Sequence, residues 1–158
     1  MIAIRQILAP TDFSKHSEGA LRFACDLAER FGAVIHLLHV LSDVMPVGPD
    51  PMLTSVLPPE YYRETEDATR EALEKLIQPD WGKPVAVTTA VAWGHAVDVV
   101  NEYASKNGID LIVIATHGRT GLSHVLLGSV AERIVREAPC PVLTIRDRTP
   151  DSPTATTS

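Results

Sequence analysis

Leu111-Ile112-Val113-Ile114-Ala115-Thr116-His117-Gly118-Arg119-Thr120-Gly121-Leu122-Ser123-His124-Val125-Leu126-Leu127-Gly128-Ser129-Val130 passes from an apolar run through three spaced glycines into a helical pattern. The opening residues read as a strand buried on both faces, and the closing ones start a helix from Ser129 to about Glu137 that buries Val130, Ile134 and Ala138. A glycine loop of this kind turns several backbone N–H groups toward one point. The helix start adds its unpaired N–H groups and the positive end of its dipole. Strand, loop and helix together predict an α/β fold with an anion site at a strand end.

Working outward, the same alternation recurs. Ile4 to Ala9 is a strand that Pro10-Thr11-Asp12 ends, and Ser14 or Ser17 caps a helix running to about Phe31. Leu21, Ala24, Ala28 and Phe31 fall on one face of it, and Gly32 lies beyond its end. Ala33 to Leu41 is a second buried strand. Ser42 to Pro59 is a long irregular connection containing Met45, Met52, Leu53, Val56 and Leu57, of the length that often serves as a lid or contact surface. The helix that starts near Glu60 has Tyr61, Thr65, Ala68, Ala72 and Leu76 as its inward stripe, with Glu66 beside Arg70 and Glu71 beside Lys75 toward solvent. Val85 to Val91 is a third strand, and His95 to Asn107 a helix with Val97, Val100, Tyr103 and Ala104 inward. Asp110 to Thr116 is the fourth strand and Pro141 to Ile145 the last. The tail from Asp147 to Ser158, polar apart from Ala155 and its prolines, is expected to be disordered, which leaves one domain over residues 1–146.

Composition limits what this fold can do. The 158 residues are 45% hydrophobic and 22% charged, the size and balance of one domain with a substantial core. A net charge of −6 and a pI near 5.4 speak against nucleic acid, which needs a clustered basic face. Met1 to Arg5 leads directly into a strand pattern, without a signal-peptide layout or an apolar run long enough for a bilayer, so a cytoplasmic protein with no membrane contact is expected. Cys25 and Cys140 have no metal-ligand spacing and read as structural thiols. His36 and His39 stand three apart on a strand, on opposite faces, and cannot easily share a metal.

Strands alternating with helices imply a parallel sheet covered on both faces by right-handed crossovers. Ligands in such sheets bind outside the carboxyl ends of the strands where the strand order reverses. If the first strand lies beside the fourth, Asp12 and the glycine loop face one crevice. Asp12 can then accept hydrogen bonds from a ribose or adenosine while the loop takes phosphates.

Several stretches carry a further reading: Ile7-Leu8-Ala9-Pro10-Thr11-Asp12-Phe13-Ser14, Leu37-Leu38-His39-Val40, Ala115-Thr116-His117-Gly118-Arg119, Leu127-Gly128-Ser129-Val130-Ala131-Glu132 and Ala138-Pro139-Cys140-Pro141-Val142-Leu143. With them the chain resembles the small, single-domain universal stress proteins from Ile4 to Arg146. The resemblance implies a Rossmann-like open sheet of five parallel strands in the order 3-2-1-4-5, with four helices on two faces. It also implies a homodimer through the last strand, Val142 to Ile145. The ATP-binding branch carries glycine, two residues, glycine, nine residues, glycine and a hydroxyl residue. Gly118, Gly128 and Ser129 match, and Ala115 stands where the first glycine would be.

By that resemblance Pro10, Thr11 and Asp12 line the adenosine end, the Val40 backbone meets the base, and Gly118, Arg119, Gly128, Ser129 and Val130 hold the phosphates of ATP with magnesium or manganese. Ala115, His117 and Gly121 complete the candidate loop. Each has a plainer alternative. Asp12 can cap the first helix, Ser129 with Glu132 makes a capping box, and Arg119 can be a surface charge. His117 and His124 lack a sequence partner that would make either a general base. The chain has no Gly-x-x-x-x-Gly-Lys-Ser/Thr, no Gly-x-Gly-x-x-Gly after a strand and no Gly-x-Ser-x-Gly. A nucleotide-dependent switch in the stress response, with at most slow ATP hydrolysis, is therefore the leading expectation. A nucleotide-free dimeric interaction module and a slow ATPase are the alternatives.

Overall fold

Apolar residues on successive positions of a strand must be covered from both sides, and this sequence supplies helices to do so. The computed structural model describes residues 3–42, 57–77, 81–82, 85–117 and 127–146. In chain order it contains β1 (Gln6–Pro10), α1 (Lys15–Phe31), β2 (Val34–Leu41), α2 (Pro59–Glu74), β3 (Val87–Trp93), α3 (Ala96–Lys106), β4 (Leu111–Ala115), α4 (Ser129–Glu137) and β5 (Val142–Ile145). The five strands form one sheet in the order β3-β2-β1-β4-β5, parallel at every pairing.

The two faces of the sheet sort the core into two clusters. Ile7, Ala9, Ile35, Leu37, Leu111 and Val113 point to the side of α1 and α2, where Leu21, Ala24, Ala28 and Leu73 meet them. Leu8, Leu38, Ile112 and Ile114 point to the side of α3 and α4, against Val97, Val100, Ala131 and Ile134. The period-two alternation explains His36 and His39. His36 hydrogen-bonds Tyr103 of α3 and Gln6 at 2.9 and 2.7 Å, while His39 packs on Phe13 across the sheet, so the pair cannot converge on one ion. Burial pushes the His36 imidazole below its ordinary range, which keeps it neutral in this network.

Local chemistry sets the ends of the elements. Ser14 caps α1 by accepting from the Ser17 N–H, and Gly32 closes the helix in the left-handed conformation (φ 65°) with its N–H on the Ala28 carbonyl. Asp110 fixes the entry to the sheet, one carboxylate oxygen accepting from the Arg5 and Gln6 N–H groups at 2.7 and 2.9 Å. Those are charge-assisted bonds to backbone groups that have lost part of their water. Asp110→Ala is expected to lower stability by about 1–3 kcal/mol, measured by urea unfolding; an unchanged midpoint would reduce this contact to a surface one.

Four expectations are corrected. Phe31, Tyr61 and Ala68 are exposed rather than inward. In α2 the buried residue is Leu73, one position beyond the expected stripe, because only the C-terminal half of this helix reaches the core. Its other anchor is aromatic: the Trp93 indole N–H donates to Glu66 Oε1 at 2.7 Å and its ring meets Tyr62 edge-on at 5.1 Å, so Glu66 is not a purely solvated carboxylate. In α4, Val130 is exposed and Ala131 takes its place in the core. Cys25 is buried, and burial with Asp26 nearby pushes its thiol up to about 11, so it stays protonated and unreactive at neutral pH. Burial, with Asp110 adding to it, also raises the half-buried Cys140 thiol. No helix among the described residues is long and apolar enough to cross a membrane.

Candidate functional site

The strand order places the reversal between β1 and β4: the chain moves outward from β1 to β2 and β3 on one side, and to β4 and β5 on the other. Connections leave β1 and β4 in opposite directions, so a gap opens above their carboxyl ends. A cavity of about 390 Å³ lies there, within the roughly 300–1,000 Å³ usual for small-molecule sites. Pro10, Thr11 and Asp12 reach it from β1, Val40 from β2, Ala115 and His117 from β4, and Gly128, Ser129 and Val130 from α4. These are all of the candidate residues that fall among the described ones. Gly118, Arg119 and Gly121 lie outside the described residues, as do His124, the connection at 43–56 and the tail after Arg146.

The β1 end is held by a chain of short bonds. The Thr11 N–H donates to the Leu38 carbonyl at 2.9 Å, and the Thr11 carbonyl accepts from His39 Nδ1 at 2.8 Å, which places the proton of that imidazole on Nδ1. Ser17 Oγ donates to the Ser14 carbonyl at 2.9 Å, so in the 3.0 Å contact between Thr11 Oγ1 and Ser17 Oγ the threonine hydroxyl is the donor. Phe13 N–H donates back to Thr11 Oγ1 at 3.1 Å, and Ser14 N–H to Asp12 Oδ1 at 3.0 Å. Phe13 itself stands at φ 62°, the sole non-glycine residue with positive φ among those described. Asp12 therefore does not cap α1. That role falls to Ser14, and Asp12 organises the turn just before it.

The β4 end is held just as closely. The Thr116 N–H donates to the Ile145 carbonyl, and the Thr116 carbonyl accepts from the Gly128 N–H at 2.6 Å, drawing the start of α4 against the strand it follows. Gly128, with φ −66°, is the N-cap, and Ser129 is already the first helical residue. The expected capping box of Ser129 with Glu132 does not form, because the N-cap position falls on a glycine without a side chain. The Glu132 carboxylate is paired with Arg136 at 2.9 Å, and Ser129 lines the cavity while no side chain caps the helix. The first N–H groups of α4, which the helix cannot pair internally, open toward the same space. A methyl group in place of a hydrogen on Gly128 would sit 3.1 Å from the Thr116 carbonyl oxygen, so the close approach, not the backbone angle, explains glycine there.

Ala115 belongs to β4 and keeps β-region angles. Its side chain joins the cluster on the α1 side, alternate to Ile114. Residues that the sequence reading had not assigned also line the cavity, chiefly Ser17, His39, Ala96 and Thr116. Ala96 was within reach of the rule that ligands sit at strand carboxyl ends, since it follows β3 directly. His39 acts through a bond to the end of the neighbouring strand that no local pattern encodes, and Ser17 through its hydroxyl contact with Thr11. A second, shallower depression of about 470 Å³ between Phe13 and α2 carries Glu64 as the single charged group of its lining. Among the described residues no group of three or more His, Cys, Asp or Glu side chains could hold a metal ion. Chemically, the main cavity offers an apolar slot between Leu38, Val40 and Val100, one carboxylate for hydroxyl groups, and a helix N-terminus for anions.

Comparison with known proteins gives a consistent answer. The model of the universal stress protein family matches residues 3–146. The universal stress protein MJ0531 of Methanocaldococcus jannaschii is 36% identical over 143 residues, covering 90% of this chain and 82% of that protein. The solved structure of MJ0577 from the same organism is 27% identical with a TM-score of 0.72, over 94% of this chain and 99% of that one. A universal stress protein family protein of Arabidopsis thaliana, solved with AMP bound, shares the fold with a TM-score of 0.60 at 19% identity, over 96% and 97% of the two chains.

Proposed function

We infer, from the premise that this chain belongs to the universal stress protein family, that its cavity above β1 and β4 binds an adenine nucleotide. We read the bound nucleotide, ATP by preference, as the signal of a stress-response switch in a cytoplasmic homodimer. The observation that carries this reading is the convergence of Asp12 after β1, Val40 of β2, and Gly128 and Ser129 at the start of α4 on one cavity at the reversal of strand order. The relative with AMP bound supports the choice of adenine. The base enters between Val40 and Val100, the ribose meets Asp12, and the phosphates run toward Ser129 and the N–H groups of α4. Magnesium or manganese arrives with the phosphates. We read the nucleotide as held rather than turned over, with at most slow hydrolysis. The half-buried edge strand β5 is the surface through which two copies join their sheets. The tail after Arg146 lies outside this domain.

Native mass spectrometry of protein purified without added nucleotide, repeated after incubation with Mg-ATP, tests both parts at once. The expected species is a dimer carrying one adenine nucleotide per chain. A dimer that stays empty in Mg-ATP would replace the switch by a nucleotide-free interaction module. In the same assay Ala115→Gly is expected to change affinity by less than about threefold, because the methyl group points to the α1 side and is compatible with strand angles. A gain of tenfold or more would mean that this methyl group obstructs the ligand.

A further inference from the structure

Asp12 is the acidic residue of the described cavity lining, and the residues on either side of it are both held by one side chain, His39. His39 is half-buried near the end of β2 and itself lines the cavity. The register of β1 against β2 ends at Pro10 opposite Leu38. One step further, the Thr11 N–H still reaches the Leu38 carbonyl at 2.9 Å, and the Thr11 carbonyl accepts the Nδ1–H of His39 at 2.8 Å. Beyond Asp12, the Phe13 ring lies against the same imidazole, with centroids 4.6 Å apart and planes inclined at 51°. We propose that His39 is a positioning residue for the nucleotide: it fixes the peptide between Thr11 and Asp12 so that the Asp12 carboxylate meets the ribose hydroxyl groups. The proposal rests on the nucleotide reading given above and deepens it, since it assigns discrimination at the sugar to a residue of the neighbouring strand.

The Thr11 carbonyl and the Asp12 N–H belong to one planar peptide unit, so a bond that aims the carbonyl at β2 also sets the direction in which the chain reaches the Asp12 Cα. The other bonds of the turn act elsewhere. The Thr11 hydroxyl contacts Ser17 Oγ and accepts from the Phe13 N–H, which ties the Thr11 side chain to α1 and to the peptide after Asp12. Asp12 Oδ1 accepts from the Ser14 N–H, which ties the carboxylate to the start of the helix. His39 supplies the bond to the peptide before Asp12. Its ring stands on the α1 side of the sheet with Phe13, whereas Leu38 and Val40 point to the α3 side, where the base is read to enter. A carbonyl on the buried Thr11 that loses its donor turns toward another one or toward water and carries Asp12 with it. Only the molecules with the carboxylate in place then gain a bond from the sugar, while the rest hold base and phosphates alone. The loss therefore falls on the sugar hydroxyl groups, which separates positioning from a general weakening of the fold.

The test titrates the full chain with Mg-ATP and with the magnesium complex of 2′,3′-dideoxyATP, which keeps base and phosphates but lacks both sugar hydroxyl groups. The readout is the ratio of the two affinities. In the unmodified protein ATP should bind about tenfold more tightly, the size expected of a hydrogen bond to a carboxylate. His39→Phe keeps a ring against Phe13 but has no donor, and the ratio should fall to about two or less. His39→Asn places an amide nitrogen where Nδ1 stands, and the ratio should stay above about five. Thermal unfolding without nucleotide checks that each variant is folded, and the two are read independently, so either one alone decides. A folded His39→Phe with the full ratio, or a folded His39→Asn with the ratio lost, overturns the positioning role and leaves the nucleotide reading standing. An unmodified protein that binds the two ligands equally also overturns it, because no sugar contact is then left to position, while the binding of base and phosphates stands. An unmodified protein that binds neither overturns both.

Discussion

Gly128→Val is expected to weaken nucleotide binding by about 10- to 100-fold while the chain still folds. Valine's own backbone preferences permit φ −66°, so the effect arises entirely from contact. Its Cβ would lie 3.1 Å from the Thr116 carbonyl oxygen and 4.0 Å from the His117 Cα, both backbone atoms that cannot rotate away. The 2.6 Å bond from the Gly128 N–H to that same carbonyl would have to lengthen, carrying the first turn of α4 and the Ser129 hydroxyl away from β4. Overpacking of this kind typically costs about 1–3 kcal/mol, and each 1.4 kcal/mol is roughly tenfold in affinity. Titration calorimetry with Mg-ATP measures it; a variant within about twofold of the unmodified protein would place the phosphates away from the start of α4.

The largest loss of stability is expected from Ile112→Ala. Ile112 is 0% exposed, lies in β4 between Leu8 of β1 and Val142 of β5, and belongs to the cluster with Leu38, Val100 and Ile134. Strands on both sides hold the backbone, so the space left by the side chain closes only partly. Truncations of this type cost about 2–5 kcal/mol out of a usual total of about 5–15, and the melting temperature should fall by about 5–15 °C. Val135→Ala, on the outer face of α4 with the side chain 47% exposed, should stay within about 0.5 kcal/mol. Thermal and urea unfolding without nucleotide compare the two. Equal losses would show that burial in this sheet is not what sets stability.

What the sequence revealed, and what it hid, follows from the range of the forces involved. The strands were legible because a parallel sheet covered on both sides demands near-continuous apolar runs such as Leu111 to Ile114. Alternating elements gave the fold class, but the order 3-2-1-4-5 came from resemblance to a family, since strand neighbours are set by contacts between distant segments. The crevice residues were legible as strand-end and helix-start positions. The shift of the α4 cap from Ser129 to Gly128 was not, because it depends on a bond from Gly128 back to Thr116 across the loop. The inner face of α2 was misread for a related reason: Tyr61, Thr65 and Ala68 have the right spacing, yet tertiary placement of the helix end puts Leu73 in the core and turns Glu66 to Trp93. His39 entered the site through a bond to the end of the neighbouring strand, and Ser17 through the hydroxyl of Thr11 in the turn before α1. Gly118, Arg119 and Gly121 lie outside the described residues, and their part in phosphate binding remains a proposal.

Phe13 carries one more consequence. A side chain of this bulk held at φ 62° costs on the order of 1–3 kcal/mol, and here the ring contact with His39 and the bonds that Thr11 Oγ1 and Asp12 Oδ1 accept from the Phe13 and Ser14 N–H groups hold the turn in place. The expense of setting Asp12 in position therefore falls on folding and not on the ligand. An arriving nucleotide meets a turn whose conformational entropy is already gone, so more of its contact energy is left over as affinity.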